Sequence, residues 1–300
     1  MGKKPEGVFA PISTPFDAEG NVNYEHLIYN VKKYAQTELQ GYLILGSNGE
    51  NKSLTAAEKE QVVKTILKYK APQQIAIVGS IFESTYETLE FALMAQDAGA
   101  DYIALLPPSY FKSAMKEPVL LKYFTDVAAR LKIPCLLYKA PQFSGGVDLP
   151  LSLIRECAKH PNIAGIKDSS SSGIEKILHN APENFAVLSG SATTFLSAML
   201  GGAAGGVLSL ANYLPEKAIQ LYKYIISGDL PKAVELNHAI VNANIEISGT
   251  YGVAGVKCAM DQTGYYGDFP RLPLPPVPPE GISHIKQIIN NPAFQSALPE

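Results

Sequence analysis

In the stretch 135–166, Cys135-Leu136-Leu137-Tyr138 is followed by a helical period over 150–158 and then by Ile163-Ala164-Gly165-Ile166. Two short apolar runs without polar alternation, separated by a helix, are what parallel strands buried on both faces look like. Working outward, the pattern repeats. Before it lie Val8-Phe9-Ala10-Pro11-Ile12, Tyr42-Leu43-Ile44-Leu45, Ile75-Ala76-Ile77-Val78 and Tyr102-Ile103-Ala104-Leu105-Leu106. After it come Phe185-Ala186-Val187-Leu188 and Gly206-Val207-Leu208-Ser209-Leu210. Eight strand-length runs, about 20 to 35 residues apart, leave room for a helix between each pair. Helical periods fall at 85–98 and 118–131, and Thr55 with Glu58 three residues on forms a capping box that opens another.

Eight βα units are the number that closes a (β/α)8 TIM barrel. A doubly wound open sheet is the rival architecture. The barrel is expected over residues 1–214, carrying the functional site. From residue 215 the strand runs stop, and a C-terminal helical subdomain is expected over 215–300, with helices at 215–227, 230–247, 253–260 and 282–290. The proline-rich segment 270–279 cannot be helix. It reads as a fixed strap across the helical part rather than a ligand for a proline-reading module.

With 300 residues, 46% of them hydrophobic, the chain can bury a large core. A net charge of -3 supplies no basic field for nucleic acid. No apolar run reaches the length of a membrane span. The polar start, Met1-Gly2-Lys3-Lys4-Pro5-Glu6-Gly7, lacks the apolar core of a secretory signal, and Glu6 stands where a myristoylation signal wants Ser or Thr. Three distant cysteines, Cys135, Cys157 and Cys258, suit a reducing compartment, so the cytoplasm is expected. The five histidines have no metal-binding spacing, and no metal site is expected.

In a barrel, chemistry sits at the C-terminal ends of the strands. The sixth run ends in Lys167-Asp168-Ser169, so an apolar strand carries a long basic side chain out at that face. Burial disfavours the ammonium form and can bring a lysine to a pKa of about 7 to 8. A neutral amine is the nucleophile that makes an imine with a ketone. Alone, such a lysine more often snorkels into solvent at the rim or pairs with an acid. Its neighbours change the balance. Tyr138 ends the fifth run, where a phenol can pass protons, although an aromatic plug is the equal alternative. Gly46-Ser47-Asn48-Gly49 after the second run suits a carboxylate, a weak pattern by itself. Tyr110 lies after the fourth run and reads equally as surface decoration. Ser169-Ser170-Ser171-Ser172 reads as a loop leading to a helix cap, with Ser169 within reach of a ligand.

Together these residues resemble the dihydrodipicolinate synthase and N-acetylneuraminate lyase family of class I aldolases, through nearly the whole chain. Gly46-Ser47-Asn48-Gly49-Glu50 with Glu58 matches one family signature; Tyr138-x-x-Pro141 with Ile163-x-Gly165-Ile166-Lys167-Asp168-Ser169 matches another. The resemblance implies Lys167 as the Schiff-base residue, Tyr138 in proton transfer, and Ser47 as a hydroxyl relay. Ser47 and Asn48 would hold a carboxylate, Ser169, Gly190 and the backbone of Leu208 would face substrate, and Tyr110 would reach in from an adjacent subunit. A homotetramer, a dimer of dimers, follows as the expected assembly. Within the family, Ser47-Asn48, His160-Pro161-Asn162-Ile163, Ser209-Leu210-Ala211-Asn212 and Gly264-Tyr265-Tyr266-Gly267 fit the 4-hydroxy-2-oxoglutarate aldolase branch better than the synthases. Where the synthases carry an arginine for the second substrate's carboxylate, this chain has Phe143. Lys139 or Lys112 is the candidate to replace that charge, and Gly145-Gly146 lengthens the loop by one residue.

The implied activity is that of a carbon–carbon lyase: a pyruvate-dependent aldolase joining or splitting a 2-oxo acid and an aldehyde, with no metal or organic cofactor because the lysine is the electron sink. Alternatives on the same scaffold are a 2-oxo-3-deoxy sugar acid aldolase, a dihydrodipicolinate synthase and a Schiff-base dehydratase. A non-catalytic 2-oxo acid sensor is the reading from a different class.

Overall fold

The computed structural model describes residues 4–170 and 172–295. Met1 to Lys3, part of the amino-terminal signal reading, lie outside the described residues, as does Ser171. Eight strands appear where the apolar runs place them: β1 (Gly7–Pro11), β2 (Gly41–Ile44), β3 (Ile75–Ser80), β4 (Tyr102–Leu105), β5 (Cys135–Lys139), β6 (Ile163–Asp168), β7 (Ala186–Ser189) and β8 (Gly205–Val207). Each pairs in parallel with the next, and β1 pairs with β8, so the sheet is a closed barrel and not an open one. Side chains from alternating positions, among them Phe9, Leu43, Ile77, Leu136, Leu188 and Val207, fill the interior as one buried cluster. Above it, toward the C-terminal strand ends, Ile81, Leu106, Tyr138 and Ala140 form a second small layer.

The helices of the outer ring are α1 (Tyr24–Tyr34), α2 (Ala56–Tyr69), α3 (Thr85–Asp97), α4 (Glu117–Ala128), α5 (Leu151–Cys157), α6 (Ile174–Asn180), α7 (Ala192–Leu200) and α8 (Pro215–Ile226). In α2 the Thr55 hydroxyl accepts the Glu58 N–H while the Glu58 carboxylate accepts the Thr55 N–H, the expected capping box. The α1 helix buries Leu27, Val31 and Tyr34 along one face. Burying a side chain of the Leu or Val size stabilises by about 1.5–3 kcal/mol. The α8 helix packs on β1 and on the following helix.

Beyond the ring run α9 (Leu230–Ala243), α10 (Thr250–Gln262), α11 (Pro279–Ile289) and α12 (Pro292–Gln295). The α-helix expected to run to residue 247 stops at Ala243 and continues as a π-helical turn, Asn244–Gly249. The 270–279 segment is non-helical up to Pro279, which opens α11, with one turn in which the Leu274 N–H donates to Arg271 O, and it reaches further than a strap on the helices alone. Arg271 donates to Gly20 O, Ser53 O and the Glu58 carboxylate, so the strap is fastened to the barrel's own loops. Among the described residues no helix is long and apolar enough to cross a membrane.

Candidate active site

Tyr138 on β5 and Lys167 on β6 sit side by side in register. Tyr138 continues the inward pleat of Leu136, which places both side chains at the barrel mouth. Lys167 is 6% exposed, and its Nζ lies 4.0 Å from the centre of the Tyr138 ring. The Tyr138 hydroxyl lies 3.2 Å from Ser47 Oγ, and Asn48 Nδ2 donates to Ser209 Oγ at 2.8 Å. Lys167, Tyr138, Ser47, Asn48, Ser169 and Gly190 line one cavity of about 260 Å³.

Burial pushes the Tyr138 phenol up. The charge of Lys167 and the polar groups around the hydroxyl, with Ser47 in hydrogen-bond contact, pull the other way and win, so the phenol titrates below its ordinary value. A phenol so placed gives up and regains a proton more readily than a free one. Asp168, the next residue on β6, turns away from this pair. Its Oδ1 accepts the Ser170 N–H at 2.8 Å and the Ser170 hydroxyl at 2.5 Å. Burial raises the Asp168 carboxyl above its usual range despite those bonds and the nearby charge of Lys139.

The turn that presents Ser47 and Asn48 is clamped from behind. Ser47–Gly49 make one 3-10 turn, and Glu50 closes it in the left-handed region with φ 52°. A non-glycine residue there needs outside support. Lys257 Nζ, fully buried, meets Glu50 Oε1 at 2.6 Å and also donates to Thr14 O and Phe269 O, each at 2.7 Å. The Arg271 N–H donates to Glu50 Oε2 at 2.9 Å. The Thr14 hydroxyl donates to Gly49 O at 2.8 Å. On the opposite wall Gly190 is required by close approach. Its N–H donates to Asp168 O at 2.7 Å, and a Cβ there would stand 2.0 Å from Ser169 Oγ.

The model of the dihydrodipicolinate synthetase family matches residues 4–291, nearly the whole chain. The chain belongs to this family. A probable mitochondrial 4-hydroxy-2-oxoglutarate aldolase of Emericella nidulans is 30% identical over 274 residues, covering 89% of this chain and 88% of that one. A 4-hydroxy-tetrahydrodipicolinate synthase of Neisseria gonorrhoeae is 29% identical over 284 residues, covering 94% and 96%. Among solved structures, a prophage protein of the dihydrodipicolinic acid synthase family from E. coli, in complex with pyruvate, superposes with a TM-score of 0.89 at 25% identity, covering 96% and 98%. As a member of the dihydrodipicolinate synthetase family the protein is an enzyme, a carbon–carbon lyase.

The structure does not bring every expected residue to the cavity. Tyr110 is 80% exposed, its ring edge-on to Phe111 and away from the cavity of its own chain. Leu208 uses its N–H on Phe9 O and its carbonyl on Ala211 N–H; the lining residues from this stretch are Val207 and Ser209. The serine loop does not cap a helix: α6 starts after Gly173, with no side-chain cap, and Ser171 lies outside the described residues. Lys139 Nζ is committed to Asp148 Oδ1 at 2.8 Å. Lys112 Nζ lies over the Gly145-Gly146 turn, where a Cβ on Gly146 would come within 2.6 Å of it. Both glycines adopt positive φ (57° and 79°), which is how the longer loop folds back. Neither lysine lines the cavity.

Other groups at the cavity went unread in the sequence. Gln142, Asn244, Ser248 and the Gly252-Val253 kink of α10 also line it. Asn244 and Ser248 are four residues apart on a helical pattern, a polar pair on one face that could have signalled a site. Nothing local in the sequence marks Lys257 as the anchor of Glu50.

Proposed function

We propose that the protein is a pyruvate-type class I aldolase that splits, or forms, a hydroxylated 2-oxo acid through an imine on Lys167. The observation that carries the reading is Lys167 Nζ on the face of Tyr138, with Tyr138 hydrogen-bonded to Ser47 inside one cavity. Ser47 and Asn48 hold the substrate carboxylate. The Lys167 amine attacks the keto carbon, and loss of water leaves a protonated imine. Tyr138 takes the proton of the 4-hydroxyl as the C3–C4 bond breaks; the bonding pair moves to C3 and into the imine, giving an enamine and a free aldehyde. Protonation at C3 and addition of water then release pyruvate and the amine. The prophage relative solved with pyruvate supports the 2-oxo acid half of this scheme.

The name of the Emericella relative makes 4-hydroxy-2-oxoglutarate the reference substrate against which 2-oxo-3-deoxy sugar acids and other 4-hydroxy-2-oxo acids are compared. Dihydrodipicolinate synthesis is disfavoured by Phe143, which offers no donor to the carboxylate of an amino-acid aldehyde. A dehydratase would eliminate water without releasing pyruvate, so an assay for pyruvate separates the two. The exposed Tyr110 fits a hydroxyl given to a neighbouring subunit's site, in at least a dimer and in the expected tetramer. Mixing inactive Tyr110→Phe and Lys167→Ala subunits, with exchange, then restores activity; a fully active monomer in sedimentation contradicts it. A cytoplasmic location rests on three cysteines that are all free.

A further inference from the structure

A second cavity, about 420 Å³, opens beside the Lys167 cavity. The two share Ser47, Phe143, Gly252 and Val253 as a common wall. The second space therefore adjoins the one that Lys167 faces, along Phe143 and Val253. What lines that space differs from what lines the first. Ile81, Leu106, Phe143, Val253, Leu274 and Pro275 present hydrocarbon. Two of them are left well exposed around it, Phe143 at 53% and Leu274 at 41%. Of the charged groups in its wall, Glu50 is buried in an ion pair and Lys52 points toward solvent, where it meets another carboxylate. The Glu50 carboxylate is held by Lys257 and the Arg271 N–H, and Lys52 Nζ meets Glu83 Oε1 at 3.3 Å.

We propose that this cavity is the acceptor subsite and that it takes an aldehyde with an uncharged alkyl or aryl substituent, so the substrate split at Lys167 is a 4-hydroxy-2-oxo acid with an apolar group on C4. The assignment rests on the aldolase reading of Lys167 and adds the chemistry of the far end. Cavities of roughly 150 Å³ lined by apolar side chains already hold a benzene ring, so the space admits a phenyl group or a short chain. A carboxylate among those apolar side chains would lose its water, with only the solvent-facing Lys52, already paired with Glu83, in the wall as a cation. Hydrocarbon would instead cover the exposed Phe143 and Leu274.

The test is a set of initial rates for condensation of pyruvate with benzaldehyde, hexanal and glyoxylate on one preparation of the full chain, with the product acids measured by mass. The expected result is a kcat/KM for benzaldehyde or hexanal at least about tenfold above that for glyoxylate, the scale on which apolar pockets discriminate. Leu274→Asp, an exposed position where the fold is not at stake, lowers the benzaldehyde value about tenfold. Phe143→Arg shifts preference toward glyoxylate. A wild-type preference for glyoxylate, or an unchanged benzaldehyde rate in Leu274→Asp, overturns the assignment. Trapping with borohydride and pyruvate alone runs in parallel. Labelled Lys167 with glyoxylate preferred sinks the subsite only, whereas unlabelled Lys167 sinks the aldolase reading and the subsite with it.

Discussion

Lys167 and Lys257 are both buried lysines within one molecule, and their surroundings could hardly differ more. Lys257 is fully buried, ion-paired to Glu50, bonded to two backbone carbonyls and set over the Phe16 ring. Burial pulls its ammonium below the ordinary lysine value, against the charge of Glu50, and every direction in which it could donate is filled. Lys167 opens onto a cavity, and among the described residues its Nζ sits on the Tyr138 ring with no carboxylate paired to it. Burial is common to both, so burial alone does not select a nucleophile. An amine without a counter-ion, next to a group that can move a proton and an open volume for a substrate, does. The first lysine performs chemistry in this account; the second holds the Ser47-Asn48 turn in place.

Removing each lysine should therefore break different properties. Lys167→Ala is expected to abolish pyruvate release while leaving the thermal midpoint near wild type, measured by coupled assay and by melting. Residual turnover above background would remove Lys167 from its role. Tyr138→Phe should still form some imine yet lose about 10²- to 10⁴-fold in rate, the usual worth of general acid–base catalysis. In the condensation direction, where the phenol gives its proton back to the new hydroxyl, the alkaline limb of the pH–rate profile should then disappear, because in wild type the Tyr138 phenol titrates below its ordinary value. Near-normal turnover would reduce Tyr138 to packing.

Lys257→Met leaves Glu50 buried without its partner, and breaking such a pair costs about 3–5 kcal/mol. Urea unfolding should show a loss of that size, with Lys167 still labelled by pyruvate in the fraction that folds. An unchanged midpoint would mean that the Lys257–Glu50 pair is not holding the turn.

A smaller effect is expected at the strap. The Arg271 guanidinium beside Glu58, aided by the Thr55 cap and opposed by burial, holds the Glu58 carboxyl at about 2, down from an ordinary value near 4.5. A depressed folded-state value means this contribution is complete above pH 4.5 and is lost as pH falls toward 2. Glu58→Gln should therefore cost about 2 kcal/mol near neutrality and flatten the acid limb of stability between those limits. Identical acid limbs in variant and wild type would show the clamp to be idle.

The same contrast explains what could be read in the chain. All eight strands are legible because both faces of a barrel strand are buried, which leaves continuous runs such as Ile75-Ala76-Ile77-Val78. Lys167 and Tyr138 stand out because a polar group ending such a run has few structural reasons to be there. The short helices α6 and α7 carry about two turns each, too few for a helical period to separate from an apolar run. In α1 the spacing of Leu27, Val31 and Tyr34 is present but sits among charged and tyrosine residues. The groups that cover the cavity were beyond reach for another reason. Asn244, Ser248 and Val253 belong to C-terminal helices, and only the tertiary fold lays them over strand ends more than a hundred residues earlier in several cases. Lys257 lies likewise far from Glu50 in sequence, and no local pattern joins them.

The most direct test treats the full-length protein with pyruvate and borohydride and maps the modified peptide by mass. The account predicts one reduced pyruvyl group on Lys167, with Lys139 and Lys257 unmodified. An adduct on either of those two lysines, or no adduct at all, would contradict it.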